Sequence, residues 1–144
     1  MEPWKIQALL AAVFAGLTSI LAKSGMKTLG PDVSLALRTT VVFALVTISA
    51  FVWTSGRIGE ALAAARPRDL ALLALSGLTT SLSWIFYYRA MKTGTVSFVA
   101  LVDKGSIVVT LVLAFLLLRE PFTTRTACGG GLILLGIAVL TFKS

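Results

Sequence analysis

The chain has 144 residues, 57% hydrophobic and 13% charged, and its thirteen Lys+Arg against six Asp+Glu leave a net charge of +7. A soluble domain usually runs about 45–50% apolar and about 25% charged, so this composition excludes a disordered chain, a nucleic-acid-binding domain of ordinary polarity and most soluble enzymes. With no His and a single Cys, the chain has no His-based relay, triad or metal site, no internal disulfide and no thiolate cluster. It reads as an all-α integral membrane protein, with no cofactor and no metal expected.

A helix needs about 20 apolar residues, range 17–25, to cross a hydrocarbon core. Stretches free of Asp, Glu, Lys and Arg run over Ile6–Ala22, Thr39–Gly56, Leu70–Tyr88 and Thr126–Phe142. A fifth, Thr93–Leu118, is long enough to span but carries Asp103 and Lys104. These runs predict a single transmembrane domain over residues 1–144, with five helices over about 4–23, 33–53, 70–91, 96–118 and 125–142. All four prolines (Pro3, Pro31, Pro67 and Pro121) fall between the predicted spans. Asp32 and Asp69 follow such prolines just before apolar runs and read as helix N-caps. Met91–Gly94 is a tight connection, and the longest loop, Thr54–Arg68, is placed along the interface. A cleavable signal peptide is the alternative for the first segment, because Lys5 precedes an apolar region. That region exceeds a typical h-region and no clean Ala-x-Ala site follows, so the uncleaved reading is preferred.

Charge sets the expected orientation. The N-terminal side receives Lys5, Arg57, Arg66, Arg68, Arg119 and Arg125, and the other receives Lys27, Lys92 and Lys143, with Lys23 and Arg89 at helix ends. The positive-inside rule places the N-terminus in the cytoplasm and the chain in the cell (inner) membrane. The bias is small, so two arrangements stay open: one fixed orientation, or dual insertion with opposite copies pairing as an antiparallel dimer.

A charged side chain at mid-bilayer costs about 2.5–3.5 kcal/mol even on the lenient insertion scale. Arg38, Asp103 and Lys104 nevertheless sit within predicted spans, all in the half of the bilayer away from the N-terminus. Asp103, Ser106 and Thr110 follow helical spacing and form one polar stripe, while Lys104 projects about 100° away. Each ion therefore calls for a partner on another helix, with Arg38 the match for Asp103 by depth. Gly16, Ser19 and Lys23 share a small-residue face of the first helix. Gly77, Ser81, Trp84 and Tyr88 share a face of the third, forming an aromatic wall. For each of these a plainer role competes. Lys23 and Arg89 can snorkel to headgroups, Tyr87 and Tyr88 suit an interfacial belt, and Asp103 with Lys104 can be a structural pair. Small-x-x-x-small spacings at Thr126/Gly130 and Ala127/Gly131 mark close helix or dimer packing with Gly16, and Cys128 reads as a packing residue.

Several segments carry a family resemblance. Trp84–Gly94 resembles the aromatic-to-Ala-Leu-Lys-x-Gly end of the third helix in the EamA repeat of the drug/metabolite transporter superfamily. Leu116–Phe122 resembles the Leu-Gly-Glu ending of its fourth helix, Gly129–Val139 its Gly-rich fifth, and Arg38 an Arg of its second. Val102–Ser106 looks like the variant of small single-repeat bacterial and archaeal members. Two departures are Arg119 in place of the usual Gly and the absence of a Pro in the fourth helix. Larger members carry two inverted repeats around a cavity, so the resemblance implies a homodimer for a chain with one.

The expected function is a secondary transporter, an exporter of small metabolites or amphipathic compounds. Arg38, Trp84, Tyr88, Asp103 and Lys104 are its candidate substrate-binding residues, and Asp103 is its candidate coupling group. The alternatives are a lipid-linked sugar flippase subunit and a non-transporting membrane assembly subunit. An enzyme is disfavoured because no nucleophile–base constellation is present, and the expected partners are the bilayer, a small substrate and a second copy, with no nucleic acid.

Overall fold

The computed structural model describes residues 2–119, 121 and 123–142. Glu120 and Phe122 of the fourth-helix motif and Lys143 of the charge comparison lie outside the described residues. The helices are α1 (Pro3–Gly25), α2 (Pro31–Trp53), α3 (Ile58–Ala64), α4 (Pro67–Thr93), α5 (Val96–Asp103), α6 (Ser106–Leu118) and α7 (Thr124–Thr141). No strand occurs among the described residues. The helical segments provide five stretches long and apolar enough to cross a membrane, with α5 and α6 together forming the fourth. The long loop of the sequence reading contains the short α3.

Three prolines mark helix starts. Pro3, Pro31 and Pro67 each open a helix, where the missing N–H is one the helix leaves unpaired anyway and the fixed φ is already helical. This displaces the expected aspartate caps by a turn's fraction. Gly30 is the N-cap of α2 and contributes no side-chain bond, and Asp32 lies in the first turn, as Asp69 does in α4. There the carboxylates face the positive end of the helix dipole. Several hydroxyls within the spans are bonded to their own helices. Thr18 donates to the Phe14 carbonyl, Thr40 to Ala36, Thr80 to Ser76 and Ser81 to Gly77, so these polar atoms cost little in lipid.

The chain divides into two compact units, residues 1–93 and 94–144. In the first, α2 packs chiefly on α4, and α1 is joined to α4 by two lysines acting reciprocally. Lys23, in the last turn of α1, donates from Nζ to the Met91 carbonyl near the end of α4 and to the Lys92 carbonyl at 3.3 Å. Lys92 donates from Nζ to the Met26 carbonyl at 2.7 Å and the Leu29 carbonyl at 3.0 Å, just past the end of α1. Each ammonium thus satisfies carbonyls that a helix end leaves without intrahelical partners. Met26 and Met91, the two most deeply buried side chains, belong to the same stretches of backbone. The Arg89 Nε–Asp32 Oδ1 bond of 3.1 Å ties α4 to the start of α2, and the Ser19 and Tyr87 hydroxyls meet at 2.8 Å between α1 and α4. Lys23, Arg89 and Tyr87 therefore bond to protein partners, where headgroup positions were the competing expectation.

In the second unit the predicted fourth span is interrupted at Lys104–Gly105. Their dihedrals are −66°, −15° and −60°, −22°, and the local bonds Gly105 N to Val102 O and Ile107 N to Lys104 O, 2.9 and 3.1 Å, are of the tighter i to i−3 kind. This is a 3₁₀ segment inside a span. A methyl group on Gly105 would stand 2.9 Å from the Val102 carbonyl and 3.3 Å from Ile137 Cδ1 of α7, so the turn needs glycine for close approach. α6 ends on Arg119 at φ 55°, ψ 33°, a left-handed position that favours the Gly of the family pattern. In α7, Gly130 is buried, and a methyl there would lie 3.0 Å from Leu111 Cδ1 of α6. Thr126 serves a different end from the packing expected of it. Its N–H donates to Thr123 Oγ1 at 3.2 Å and the two hydroxyls meet at 2.8 Å, an N-cap. Gly16 and Gly131 have open space at their Cβ positions, Ala127 is half-buried, and Cys128 is exposed.

Two substitutions test this arrangement. Lys92→Met removes a charged donor from two carbonyls and is expected to destabilise the purified protein by about 1.5–3 kcal/mol, read as a lower Tm in detergent; an unchanged Tm would mean the ammonium is merely hydrated. Gly105→Ala is expected to cost about 1–3 kcal/mol through overpacking, whereas Gly129→Ala, which meets no neighbour, is expected to hold or raise the Tm.

Candidate substrate cavity

Two cavities lie within the first unit. One, of about 360 Å³, is formed by α1, the stretch after it, α2 and Tyr88 of α4. Its walls are chiefly aliphatic, with Leu21, Leu37 and Val41 among them, and its polar contributions include Ser34 and Arg38. The other, of about 350 Å³, lies between α2 and α4 and includes Asp32, Ser81 and Trp84. Volumes of this size fall in the range of small-molecule sites.

Arg38 sits a little over one turn from Ser34 on α2, so both side chains reach the same face. The guanidinium carbon lies 4.4 Å from the centroid of the Trp84 ring on α4, close enough for cation–π attraction. Trp84 thus carries an arginine over its ring and lines the second cavity, while Tyr88, only 3% exposed, lines the first. The two aromatic residues that helical spacing placed on one wall are parted between neighbouring cavities. Tyr87 and Tyr88 stack obliquely, ring centroids 6.3 Å apart. Arg38 Nη1 and Ser34 Oγ are enclosed with no hydrogen-bond partner. Helical spacing alone relates Ser34 to Arg38 in the sequence, a weak signal because serine is common in membrane helices.

Asp103 and Lys104 belong to the second unit. Lys104 Nζ reaches Asp103 Oδ2 at 3.7 Å, both side chains being more than a third exposed. The sequence reading gave each a partner on another helix, because their Cα–Cβ directions diverge. The four-carbon lysine stem is flexible enough to bring the ammonium back to its neighbour. Lys104 also lines a cavity of about 380 Å³ between the α5–α6 segment and α7, with Leu101, Ile133 and Ile137. That cavity is almost wholly aliphatic, and the lysine is its one charged contributor. Of the five predicted binding residues, Arg38, Trp84 and Tyr88 gather around the paired cavities of the first unit, while Asp103 immediately precedes the turn of the second and Lys104 is its first residue. No group of three or more metal-ligating side chains occurs among the described residues.

Residues 3–142 match the EamA-like transporter family. A protein of Sinorhizobium sp. named as an uncharacterized transporter in the cobO 3'region is 36% identical over 139 residues, which span 96% of each chain. No solved structure matches. With five apolar spans, a family match across almost its whole length and a transporter relative of equal extent, this multi-pass membrane protein belongs to the EamA-like transporter family.

Proposed function

We propose that the chain is one half of a secondary transporter of small metabolites or amphipathic compounds, acting as an exporter in the cell's inner membrane and carrying out no catalytic step. The observation that carries this reading is the cavity of the first unit, aliphatic over most of its wall yet holding the enclosed guanidinium of Arg38. A charge at membrane depth is expensive and marks a functional site by default. Tyr88 lines the same cavity and Trp84 stacks on the guanidinium from the neighbouring one, so Arg38, Trp84 and Tyr88 form the substrate-facing group.

Asp103 is the proposed coupling group. It is a carboxylate within an apolar span, partly exposed, next to a helical irregularity, and paired with Lys104 at 3.7 Å. Protonation there changes the charge of the pair and favours a different packing of the 3₁₀ turn. Lys104 lies beside it as a second substrate contact. The partner is a second copy of the chain, inserted in the opposite sense. One repeat supplies half of the inverted pair that encloses a midplane site, and each membrane-crossing stretch has at most 6% of its apolar window buried, leaving ample surface for another copy. Gly16, Gly131 and Ala127 offer small surfaces for that contact. In the copy whose orientation follows the positive-inside rule, the N-terminus is cytoplasmic.

In proteoliposomes, Asp103→Asn is expected to abolish flux driven by a pH gradient while leaving insertion and substrate binding intact; undiminished pH-driven flux in this variant removes Asp103 from coupling. Reporters fused to the C-terminus are expected to report on both sides of the membrane, and activity on one side alone overturns the antiparallel pair.

A further inference from the structure

The cavity beside Arg38 holds a cation with no carboxylate among its lining residues. Arg38 Nη1 and Ser34 Oγ are fully enclosed and unpartnered, and both line that cavity. Trp84 covers a face of the guanidinium, but the N–H groups lie in the guanidinium plane and stacking leaves them unsatisfied. The carboxylates of the same unit are committed or distant. Asp32 is bonded to Arg89, and Glu2 pairs with Lys5 at 3.3 Å. Glu60 belongs to α3, beyond the end of α2, which itself lies about 22 Å along the helix from Arg38. Asp69 stands at the start of α4, about 28 Å along the helix from Tyr88. The remaining wall is chiefly hydrocarbon, including Leu21, Leu29, Leu37 and Val41, with Tyr88 and with Thr18, whose hydroxyl is bonded to the Phe14 carbonyl.

We propose that this cavity receives the oxyanion head, carboxylate or phosphate, of an amphipathic molecule whose apolar body lies along the leucine and valine wall. Both donors are enclosed in this structure, so Arg38 donates to one oxygen after its side chain turns Nη1 into the cavity, and the Ser34 hydroxyl, one turn away on the same face of α2, rotates to reach the same head. A fork of N–H groups beside a hydroxyl suits the planar or tetrahedral oxygens of such heads. A cationic amphiphile would instead bring a second positive charge to a cavity whose lining residues include no carboxylate. This inference rests on the cavity being the substrate site proposed above, and it narrows the substrates from amphipathic compounds in general to anions.

The test is a binding titration of the full-length protein in phosphatidylcholine nanodiscs, with Trp4→Phe and Trp53→Phe leaving Trp84 as the fluorescent reporter beside Arg38. Both replaced tryptophans are exposed. Decanoate and decyl phosphate are expected to change Trp84 emission saturably, at least ten-fold more tightly than decanol or decylamine. Arg38→Gln is expected to weaken decanoate by about ten- to hundred-fold, the usual worth of a charge-assisted hydrogen bond, and Arg38→Lys to retain part of the affinity. Equal binding of the amine or the alcohol, no saturable response to either anion, or undiminished affinity in a folded Arg38→Gln protein overturns the proposal. Head-group selectivity of the Arg38-containing protein decides the matter if Arg38→Gln does not fold. Replacing a third of the lipid by phosphatidylglycerol separates the sources: an undiminished decanoate response assigns the site to a free solute, and competition assigns it to a lipid headgroup. Anion binding without flux in proteoliposomes removes the transport reading and leaves this inference standing; flux of amines without anion binding does the reverse.

Discussion

A backbone carbonyl freed at a helix end must find a donor, and in the hydrocarbon no water supplies one; the first unit is organised around meeting that need from its own side chains. Lys23 and Lys92 each reach across to the carbonyls at the end of the other's helix. Because the donors are charged, these bonds are stronger than neutral ones, and because each lysine also sits near the negative end of its own helix dipole, its charge is favoured there twice. With α1 and α4 joined at that end, Asp32 comes within reach of Arg89 and the Ser19 hydroxyl meets Tyr87. Four separate polar contacts thus cluster where α1 ends, α2 begins and α4 ends, which leaves the rest of each helix free to face hydrocarbon.

That clustering sorts the charges of the unit into two kinds. Lys23, Lys92, Arg89 and Asp32 have protein partners and hold helices together. Arg38 lies about one and a half turns further along α2 than Asp32, beyond the reach of that network, and its contact is with the π face of Trp84. A guanidinium tolerates this environment better than an ammonium, being less strongly hydrated and able to stack. The outcome is a cation held rigidly against an aromatic ring with hydrogen-bonding capacity to spare, next to a cavity.

Most of the architecture was legible in the sequence because membrane helices are written in their simplest code, long runs without charge bounded by proline. The five spans and the depth of Arg38, Asp103 and Lys104 follow from counting. What escaped was side-chain reach. Lys23 and Arg89 look like snorkelling residues when each helix is considered alone, and only the neighbouring helix end reveals the carbonyls and the carboxylate that hold them. Asp103 and Lys104 were assigned to separate partners by the angles of an ideal helix, yet a long lysine stem closes the gap. The aspartates are not caps because proline takes the first helical position, which puts Asp32 at the second and Asp69 at the third. Gly105 gives no sign in the sequence, since its importance lies in the close approach of the Val102 carbonyl at an irregular turn and of Ile137 of α7, thirty-two positions away in the chain.

The short 3₁₀ segment at Lys104–Gly105 alters the azimuth of everything after it. An α-helical residue turns the chain by about 100° and a 3₁₀ residue by about 120°, so two such residues rotate α6 by about 40° relative to an uninterrupted helix. In an ideal helix Ser106 and Thr110 would both fall to one side of Asp103, by about 60° and about 20°. The extra rotation brings them to about 20° on either side, centring the hydroxyls on the carboxylate. A change of those two residues between 3₁₀ and α geometry would therefore swing the polar edge of α6 as a whole, with a lengthening or shortening of only about 1 Å.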